Sequence, residues 1–184
     1  MLSRDGMKMI IPKKCILPNI QGFFDIPVDD ISAINIFASY FKRKHLNNLA
    51  CVSPDHGGVV RASRLASKLD ASLVIIDKRR TRPNVSEIVA IVGDIKNKNC
   101  LIVDDIADTC GTLCHAADKL KELGAKRVYA VVTHAILSGN AIQHINNSSL
   151  DELVITDTIP LPPEKRCKKI KVLSVAPILS EVIT

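Results

Sequence analysis

Apolar and polar positions follow two periods along this chain, and these periods divide most of it into strands and helices. Short runs of Ile, Val, Leu and Ala have the length and composition of strands buried on both faces. Between these runs, apolar residues recur every three or four positions, the spacing of one helix face. The predicted strands are Leu49–Ser53, Ser72–Ile76, Ile88–Val92, Cys100–Asp104, Arg127–Thr133, Glu152–Thr156 and Lys171–Val175. The predicted helices begin at Asp29 or Asp30, after Gly57-Gly58 and at Thr109, with shorter ones at Ser138–Ile145 and Ala176–Ile183.

Strands that alternate with helices predict an α/β fold of three layers, in which a parallel sheet is flanked by helices. Residues 1–20 lack a clear period and are treated as a poorly determined lead-in, whereas residues 21–184 form one predicted domain. Residues 77–87 are polar and charged and are predicted to form a loop. Ligands of such sheets bind beyond the carboxyl ends of the strands. We therefore expect functional residues in the segments after Ser53, Ile76 and Val103, which we call the first, second and third junctions.

The composition narrows the class of protein. Hydrophobic residues make up 47% of the 184 residues and aromatic residues 3%, so the predicted core is aliphatic. No stretch approaches the roughly 18 apolar residues of a membrane span, and no signal peptide is visible, so we expect a cytoplasmic protein without a membrane partner. The six cysteines contain no CxxC pair and are interpreted as reduced thiols. A metal at Cys110 and Cys114 would need two further ligands, and none are evident.

The formal net charge of +6 suggests nucleic-acid binding as one interpretation. However, Lys and Arg are scattered, apart from clusters within residues 78–82 and 165–171. Aromatic residues do not interleave with them, as single-strand binding usually requires. We therefore expect no nucleic-acid partner. A phosphate-rich small substrate explains the first cluster as well, and the second is interpreted as a solvated surface.

The most informative motif lies at the third junction, where acidic residues are followed by a loop that opens a helix. Its polar and small members are Asp104, Asp105, Asp108, Thr109, Cys110, Gly111 and Thr112. A helix N-terminus presents unpaired N–H groups and a positive dipole end, which together bind phosphate. Gly111 is expected to let the backbone close around the anion, and the threonines add hydroxyl donors. The paired carboxylates suit sugar hydroxyls, or Mg²⁺ bound to them. The motif therefore predicts a site for a phosphorylated ribose.

Three alternatives explain this motif less well. An EF-hand loop requires Glu at its twelfth position, whereas the twelfth residue from Asp104 is His115. A response-regulator acid pocket also has Asp residues at strand ends, but its partner elements are not visible. Helix N-capping accounts for Asp108 or Thr109, but not for two further acids and two threonines together.

The first junction, Ser53–Gly58, also carries residues suited to phosphate chemistry. Gly57 and Gly58 permit close backbone approach at a helix start, and Asp55 can hold a metal-bound water. The alternative is a tight turn in which Asp55 acts as the N-cap. His56 is either a catalytic base or a solvent-facing side chain, and we favour the latter.

The second junction places four cations within Lys78–Arg82. Such a charge run is usually a solvated, mobile segment. If this segment lies on the same sheet edge as a phosphate site, it can instead close over substrate. Its cations would then neutralise the charge that develops on a transferred phosphoryl group. We favour this second interpretation.

These segments, in this order, resemble the ribose-phosphate pyrophosphokinase family, the synthetases of phosphoribosyl pyrophosphate (PRPP). The likeness covers nearly everything after residue 20. It rests on residues 21–29, 52–58, 76–84, 103–112, 133–134, 137–139 and 158–160. The acidic motif alone indicates only the wider phosphoribosyltransferase fold of type I. The cationic loop and the run Gln21-Gly-Phe-Phe-Asp-Ile-Pro27 narrow the resemblance to the synthetases.

The resemblance implies transfer of the diphosphoryl group of ATP to the C1 hydroxyl of ribose 5-phosphate, giving PRPP and AMP with Mg²⁺. It implies a homo-oligomer, and it assigns roles to residues in three sets. Lys78 and Arg80 would stabilise the transition state. Ribose 5-phosphate would contact Asp104, Asp105, Asp108, Thr109, Cys110, Gly111 and Thr112. The pyrophosphate of ATP would contact Asp55, His56, Gly57 and Gly58, with Asp55 and Asp104 as metal ligands.

Family members have two similar domains, and this chain resembles only the C-terminal one, without the N-terminal ATP-binding domain. The chain is therefore expected to bind ribose 5-phosphate, with turnover in doubt. Two other functions stay open. A one-domain phosphoribosyltransferase would need a hood over a nucleobase, and no such segment is evident. A non-catalytic regulatory subunit would keep the fold, although the intact Lys78, Arg80 and 108–112 segment argue against degeneration.

Overall fold

A computed structural model describes residues 31–79 and 88–183 of the chain. The strands are β1 Leu49–Ser53, β2 Ser72–Arg79, β3 Ile88–Val92, β4 Asn99–Ala107, β5 Arg127–Ala135, β6 Glu152–Thr156 and β7 Ile170–Leu173. The α-helices are α1 Ile34–Arg43, α2 Val59–Leu69, α3 Gly111–Glu122, α4 Ala141–Asn147 and α5 Ala176–Ile183, with a 3₁₀ turn at Pro163–Lys165. Each predicted strand is confirmed in position. The prediction that the first helix begins at Asp29 or Asp30 is wrong, because residues 31–33 are not helical and α1 begins at Ile34. The lead-in of residues 1–20 lies outside the described residues.

All seven strands form one sheet in the order β3-β2-β1-β4-β5-β6-β7. Neighbouring strands are parallel except β2 and β3, which pair antiparallel with Asp77 opposite Ala90. The sheet is therefore mixed, with one antiparallel strand at its edge, a common departure in α/β folds.

The prediction of a loop over residues 77–87 is wrong at its start. β2 continues to Arg79, which lies opposite Ile88 of β3. The strand continues into charged sequence because backbone pairing with β3 does not depend on side-chain polarity. Residues 80–87 lie outside the described residues.

Helices cover both faces of the sheet, which confirms the predicted three layers. α1 and α2 pack on one face, and α3 and α4 pack on the other. In β4, Leu101 and Val103 contact the α1–α2 layer, whereas Cys100 and Ile102 contact the α3–α4 layer. Since both faces of the central strands are buried, their sequences are continuous apolar runs.

The chain reverses its direction across the sheet between β1 and β4. From β1 it passes through α2 to β2, and from β4 it passes through α3 to β5 on the opposite side. β1 and β4 are parallel neighbours, with Val52 opposite Ile102. A crevice forms at the carboxyl ends of two strands where the order reverses, and ligands of α/β proteins bind there.

β4 and β5 both extend beyond the predicted ends. Asp104 pairs with Val132, and Ile106 pairs with His134, so the acidic pair lies within β4 and not after it. The apolar run stops at Val103, but backbone pairing with β5 does not depend on side-chain polarity and continues to Ala107. α3 correspondingly begins at Gly111, two residues later than predicted. No helix in the described part of the chain is long and apolar enough to cross a membrane.

Replacing Leu65 with Ala is expected to lower the free energy of unfolding by about 2–5 kcal/mol, because the fully buried side chain leaves a cavity between α2 and the sheet. Val60 lies on the same helix and is 64% exposed. Val60→Ala is therefore expected to change the free energy of unfolding by less than about 0.5 kcal/mol. Urea denaturation followed by circular dichroism compares the two variants. Equal losses would contradict the assignment of this helix face to the core.

Candidate functional site

The three predicted junctions meet at one edge of the sheet, because β2, β1 and β4 are consecutive parallel strands. Two contacts join them. His56 Nε2 of the first junction lies 2.9 Å from Asp77 Oδ1 of the second. Arg61, which follows the first junction on α2, contacts both Asp104 and Asp105 of the third. The candidate site is therefore the crevice between β1 and β4, where the strand order reverses.

Asp55 organises the turn at the first junction. Its Oδ1 accepts a hydrogen bond of 2.9 Å from the Gly58 N–H, and its carbonyl accepts one of 2.6 Å from the Ser53 hydroxyl. The tight turn considered as an alternative is thus present, but the N-cap of α2 is Gly58 and not Asp55. The metal role of Asp55 stays a prediction. The His56 side chain is 72% exposed, as the solvent-facing interpretation expects.

Gly58 is required by space and not by backbone angle. Its φ of −85° is accessible to any residue. A Cβ at this position, however, would lie 2.8 Å from the Ser53 Oγ, a buried atom already hydrogen-bonded within the turn. At Gly57 the nearest atom would be Asp55 Oδ1 at 3.4 Å, an ordinary contact. Close packing of α2 against the end of β1 therefore depends on Gly58.

Arg61 is a site residue that sequence reasoning missed. Its Nη1 donates to Asp104 Oδ1 at 3.0 Å, and its Nη2 donates to Asp105 Oδ2 at 2.5 Å. The side chain is only 18% exposed. Nothing local marks this residue, because its partners are more than 40 positions away and an Arg on an amphipathic helix is usually solvated.

Asp104 and Asp105 form a carboxylate pair at the centre of the crevice. Burial raises the pKa of Asp104 from 3.8 to about 6, and the neighbouring Asp105 carboxylate adds to the rise. The Asp105 N–H, 2.8 Å from Asp104 Oδ1, and the Arg61 guanidinium act in the opposite direction. The pair thus keeps negative charge in a partly desolvated place because a cation lies against it.

The 108–112 loop follows directly and leads into α3. Asp108, Thr109 and Thr112 are exposed. The left-handed residue of the loop is Cys110, with φ 59°. The expectation that Gly111 lets the backbone close around an anion stays a prediction. The Cys110 side chain is buried in the α3–α4 layer, and burial raises the pKa of its thiol to about 12. Cys110 therefore offers its backbone to this site, not a thiolate.

The predicted cations of the second junction are placed only in part. The backbone of Lys78 lies in β2 opposite Val89, at the same sheet edge as the acidic pair. Arg80 lies outside the described residues. The roles of Lys78 and Arg80 stay predictions.

Metal-ligating side chains do not gather into a preformed centre in the described ranges, where no group of three or more His, Cys, Asp and Glu residues is suitably arranged. Cys51, Cys100, Cys110, Cys114 and Cys167 are free thiols there. Asp55 and Asp104 therefore stand as two separate carboxylates at the crevice, and metal binding by them stays a prediction.

The fold and the site together define an α/β domain of the phosphoribosyltransferase type: a strand-order reversal, an acidic pair at the end of the central strand, and a threonine-rich loop that opens the next helix. The family described as "Phosphoribosyl synthetase-associated domain" matches residues 66–184. The chain belongs to this family, which confirms its resemblance to the PRPP synthetases.

Relatives match the chain along its whole length. It is 51% identical over 183 residues to the ribose-phosphate pyrophosphokinase of Oceanobacillus iheyensis and 50% identical over 183 residues to that of Bacillus subtilis, covering 100% of this chain and 58% of each relative. The crystal structure of phosphoribosylpyrophosphate synthetase from Mycobacterium smegmatis superposes with a TM-score of 0.88 at 36% identity, covering 97% of this chain and 58% of that one. The chain thus spans less than two thirds of the length of these relatives. The superposition confirms the phosphoribosyltransferase-like fold.

Adding a methyl group at Gly58 is expected to destabilise the fold by about 1–3 kcal/mol, because its Cβ would overlap Ser53 Oγ. The matched variant Gly57→Ala is expected to cost less than about 1 kcal/mol. In a Ser53→Ala background the penalty at Gly58 is expected to shrink, since the overlapping atom is gone. Thermal unfolding of the four variants tests this, and a penalty independent of Ser53 would refute the steric explanation.

Substituting Arg61 with Met is expected to lower the free energy of unfolding by about 2 kcal/mol at pH 8, because the Asp104–Asp105 pair loses its cation. The raised pKa of Asp104 means that its ionisation weakens the fold as pH rises through the range between 3.8 and about 6. Loss of Arg61 moves this pKa higher still. The difference in the free energy of unfolding between the variant and the unsubstituted chain should therefore shrink as pH falls from 8 to 5.

Arg64→Met, an exposed change on the same helix, serves as the control for that experiment. Urea denaturation at several pH values gives the comparison. A loss at Arg61 that is the same at pH 5 and pH 8 would show that the guanidinium does not act on these carboxylates.

Proposed function

We propose that this chain takes part in transferring the diphosphoryl group of ATP to the C1 hydroxyl of ribose 5-phosphate, which gives PRPP and AMP. One observation carries the proposal: the Arg61-bound carboxylate pair and the exposed 108–112 loop share the crevice between β1 and β4. An acidic pair beside an anion-binding helix start suits a sugar that carries a phosphate. The names of the relatives at about 50% identity support the same reaction.

In this proposal the 108–112 loop binds the 5-phosphate. The amides at the start of α3 have no partners within the helix, and the helix dipole favours an anion there. Thr109 and Thr112 are exposed and add hydroxyl donors. Asp108 lies at the entrance of the loop and completes the sugar-phosphate contacts. Asp104 and Asp105 accept hydrogen bonds from the ribose hydroxyls, which fixes the sugar between the two strands.

Mg²⁺ fits the chemistry of these donors. Mg²⁺ prefers carboxylate oxygens and is commonly held by one or two carboxylates together with substrate phosphates, so a preformed cluster is not needed. Asp104 and Asp55 would hold it, and it would supply positive charge to the phosphates of ATP. The hydrogen bond from the Gly58 N–H orients Asp55, and the bond from Arg61 orients Asp104.

The remaining assignments concern the ATP side of the reaction. Residues Asp55, His56, Gly57 and Gly58 form the pyrophosphate loop, and Lys78 and Arg80 neutralise charge on the transferred group. Positioning and charge neutralisation carry most of this chemistry, so it needs no nucleophilic Ser or Cys. We propose that residues 21–184 act as one phosphoribosyltransferase-like domain. We also propose that this domain works in the cytoplasm, as part of a homo-oligomer that synthesises PRPP.

Removing the Thr112 hydroxyl tests the sugar-phosphate assignment. Thr112→Val keeps the side-chain shape and is expected to weaken ribose 5-phosphate binding about tenfold, the effect of one hydrogen bond to an anion. Ser63→Ala removes an exposed hydroxyl from α2 and should leave binding unchanged. Isothermal titration calorimetry measures both affinities. A chain that binds no ribose phosphate would refute the proposal.

A turnover assay separates the possible activities. The chain is incubated with ribose 5-phosphate, ATP and Mg²⁺, and AMP and PRPP are separated by chromatography. Formation of both, lost in Asp108→Ala, supports a complete diphosphokinase. Binding of ribose 5-phosphate without AMP formation indicates a half-site or a regulatory subunit. Pyrophosphate release from PRPP and a nucleobase would instead indicate a phosphoribosyltransferase.

A further inference from the structure

The segment that joins β5 to α4 holds the start of the 108–112 loop through hydrogen bonds. The amides of Ile136 and Leu137 donate to the Ala107 carbonyl at 2.9 and 3.1 Å, and the Ser138 amide donates to the Asp108 carbonyl at 3.1 Å. The Ser138 hydroxyl also donates to Asp108 Oδ1. The first half of the loop is therefore fixed by a neighbouring connection, not by its own sequence.

One residue of the loop and one residue of the connecting segment adopt backbone angles that are rare for residues other than glycine. Cys110 has φ 59° and Leu137 has φ 52°, although neither is glycine. Side chains with a Cβ persist in this left-handed region only when the surrounding structure holds them there. Cys110 is buried and Leu137 is almost fully buried, so packing and hydrogen bonds together enforce the two conformations.

His144 of α4 holds the second half of the loop. Its Nδ1 lies 2.8 Å from the carbonyl oxygen of Thr109. A carbonyl oxygen can only accept, so Nδ1 carries the proton and donates it. The side chain thus fixes the peptide unit between Thr109 and Cys110, directly before the first turn of α3.

The planarity of that peptide unit means that the contact with His144 also sets the direction of the Cys110 N–H. A trans peptide is planar, and its C=O and N–H point in opposite directions. When His144 binds the Thr109 carbonyl, the Cys110 N–H is directed away from α4. It then joins the amides at the start of α3, which bind anions.

The support for His144 is itself rigid. The next residue, Ile145, is fully buried. The Lys169 ammonium group donates to the carbonyls of Ile145 at 3.1 Å, Asn146 at 3.1 Å and Ser148 at 2.7 Å. This cation satisfies carbonyls at the C-terminal end of α4, where a positive charge is favoured. His144 is therefore held at a fixed place relative to the loop.

We propose that His144 is a positioning residue of the ribose 5-phosphate site, which orients the Cys110 amide toward the phosphate by binding the Thr109 carbonyl. The inference rests on the proposed function, since it assumes that the 108–112 loop binds the 5-phosphate. His144 acts through the loop and does not itself contact the sugar phosphate.

Three variants test the role of the hydrogen bond. His144→Ala removes it and is expected to weaken ribose 5-phosphate binding about tenfold, as loss of one hydrogen bond does. In His144→Asn the Nδ2 amide occupies the place of Nδ1, so affinity is expected to return to within about threefold of the unsubstituted chain. His115→Ala, an exposed change on α3 in the same groove, should leave affinity unchanged. Calorimetric titration gives the affinities, and thermal unfolding without ligand checks folding.

Each outcome distinguishes the inference from the function on which it rests. If the unsubstituted chain does not bind ribose 5-phosphate, the proposed function fails. If it binds and His144→Ala binds equally well, the function stands and the positioning role is wrong. Equal weakening in His144→Ala and His144→Asn would also overturn it, because the ring and not its Nδ1 donor would then matter. Should His144→Ala fail to fold, His144→Asn alone decides, since near-normal affinity is required of it.

Discussion

The parallel pairing of β1 with β4 determines where everything else in this domain lies. The chain leaves β1 in one direction and β4 in the other, with α2 and α3 on opposite faces of the sheet. Both helices therefore begin at the same edge but diverge from each other, which opens a crevice between them. A parallel sheet must be covered by helices on both faces. The same reversal that opens the crevice places α2 and α3 on opposite faces, so it also produces the three layers. The candidate site follows from it.

Charge in the crevice is balanced across long sequence distances. Arg61 enters from α2 and binds two carboxylates of β4, and the close approach of α2 to the end of β1 depends on the missing side chain of Gly58. Burial alone would favour protonation of Asp104, whereas the guanidinium favours its ionised form. Packing and electrostatics are thus coupled: the glycine that lets the helix approach also brings the cation to the acids.

The conformation of the 108–112 loop depends on neighbouring segments of the chain. Its left-handed Cys110 is unfavourable in isolation. The two residues before it are held from neighbouring segments, Asp108 by Ser138 and the Thr109 carbonyl by His144. His144 lies on α4, and the carbonyls at the C-terminal end of this helix bind the Lys169 ammonium group next to β7. A chain of hydrogen bonds therefore runs from the edge of the sheet to the loop. The rigidity of the loop is a property of the whole α3–α4 layer.

The sequence by itself determined the strands, the α/β class, the converging junctions and the family, because apolar periods and contiguous motifs are local signals. It did not reveal Arg61, whose partners are more than 40 residues away. Nor did it reveal the contact of His144 with the Thr109 carbonyl, because His144 resembles any exposed histidine on a short helix. It also misplaced the end of β4 and did not indicate the left-handed conformation of Cys110. Strand length follows from backbone pairing with β5, and the conformation of Cys110 follows from packing against the β5–α4 segment. Tertiary structure decided these features because their causes are contacts between segments that only folding brings together.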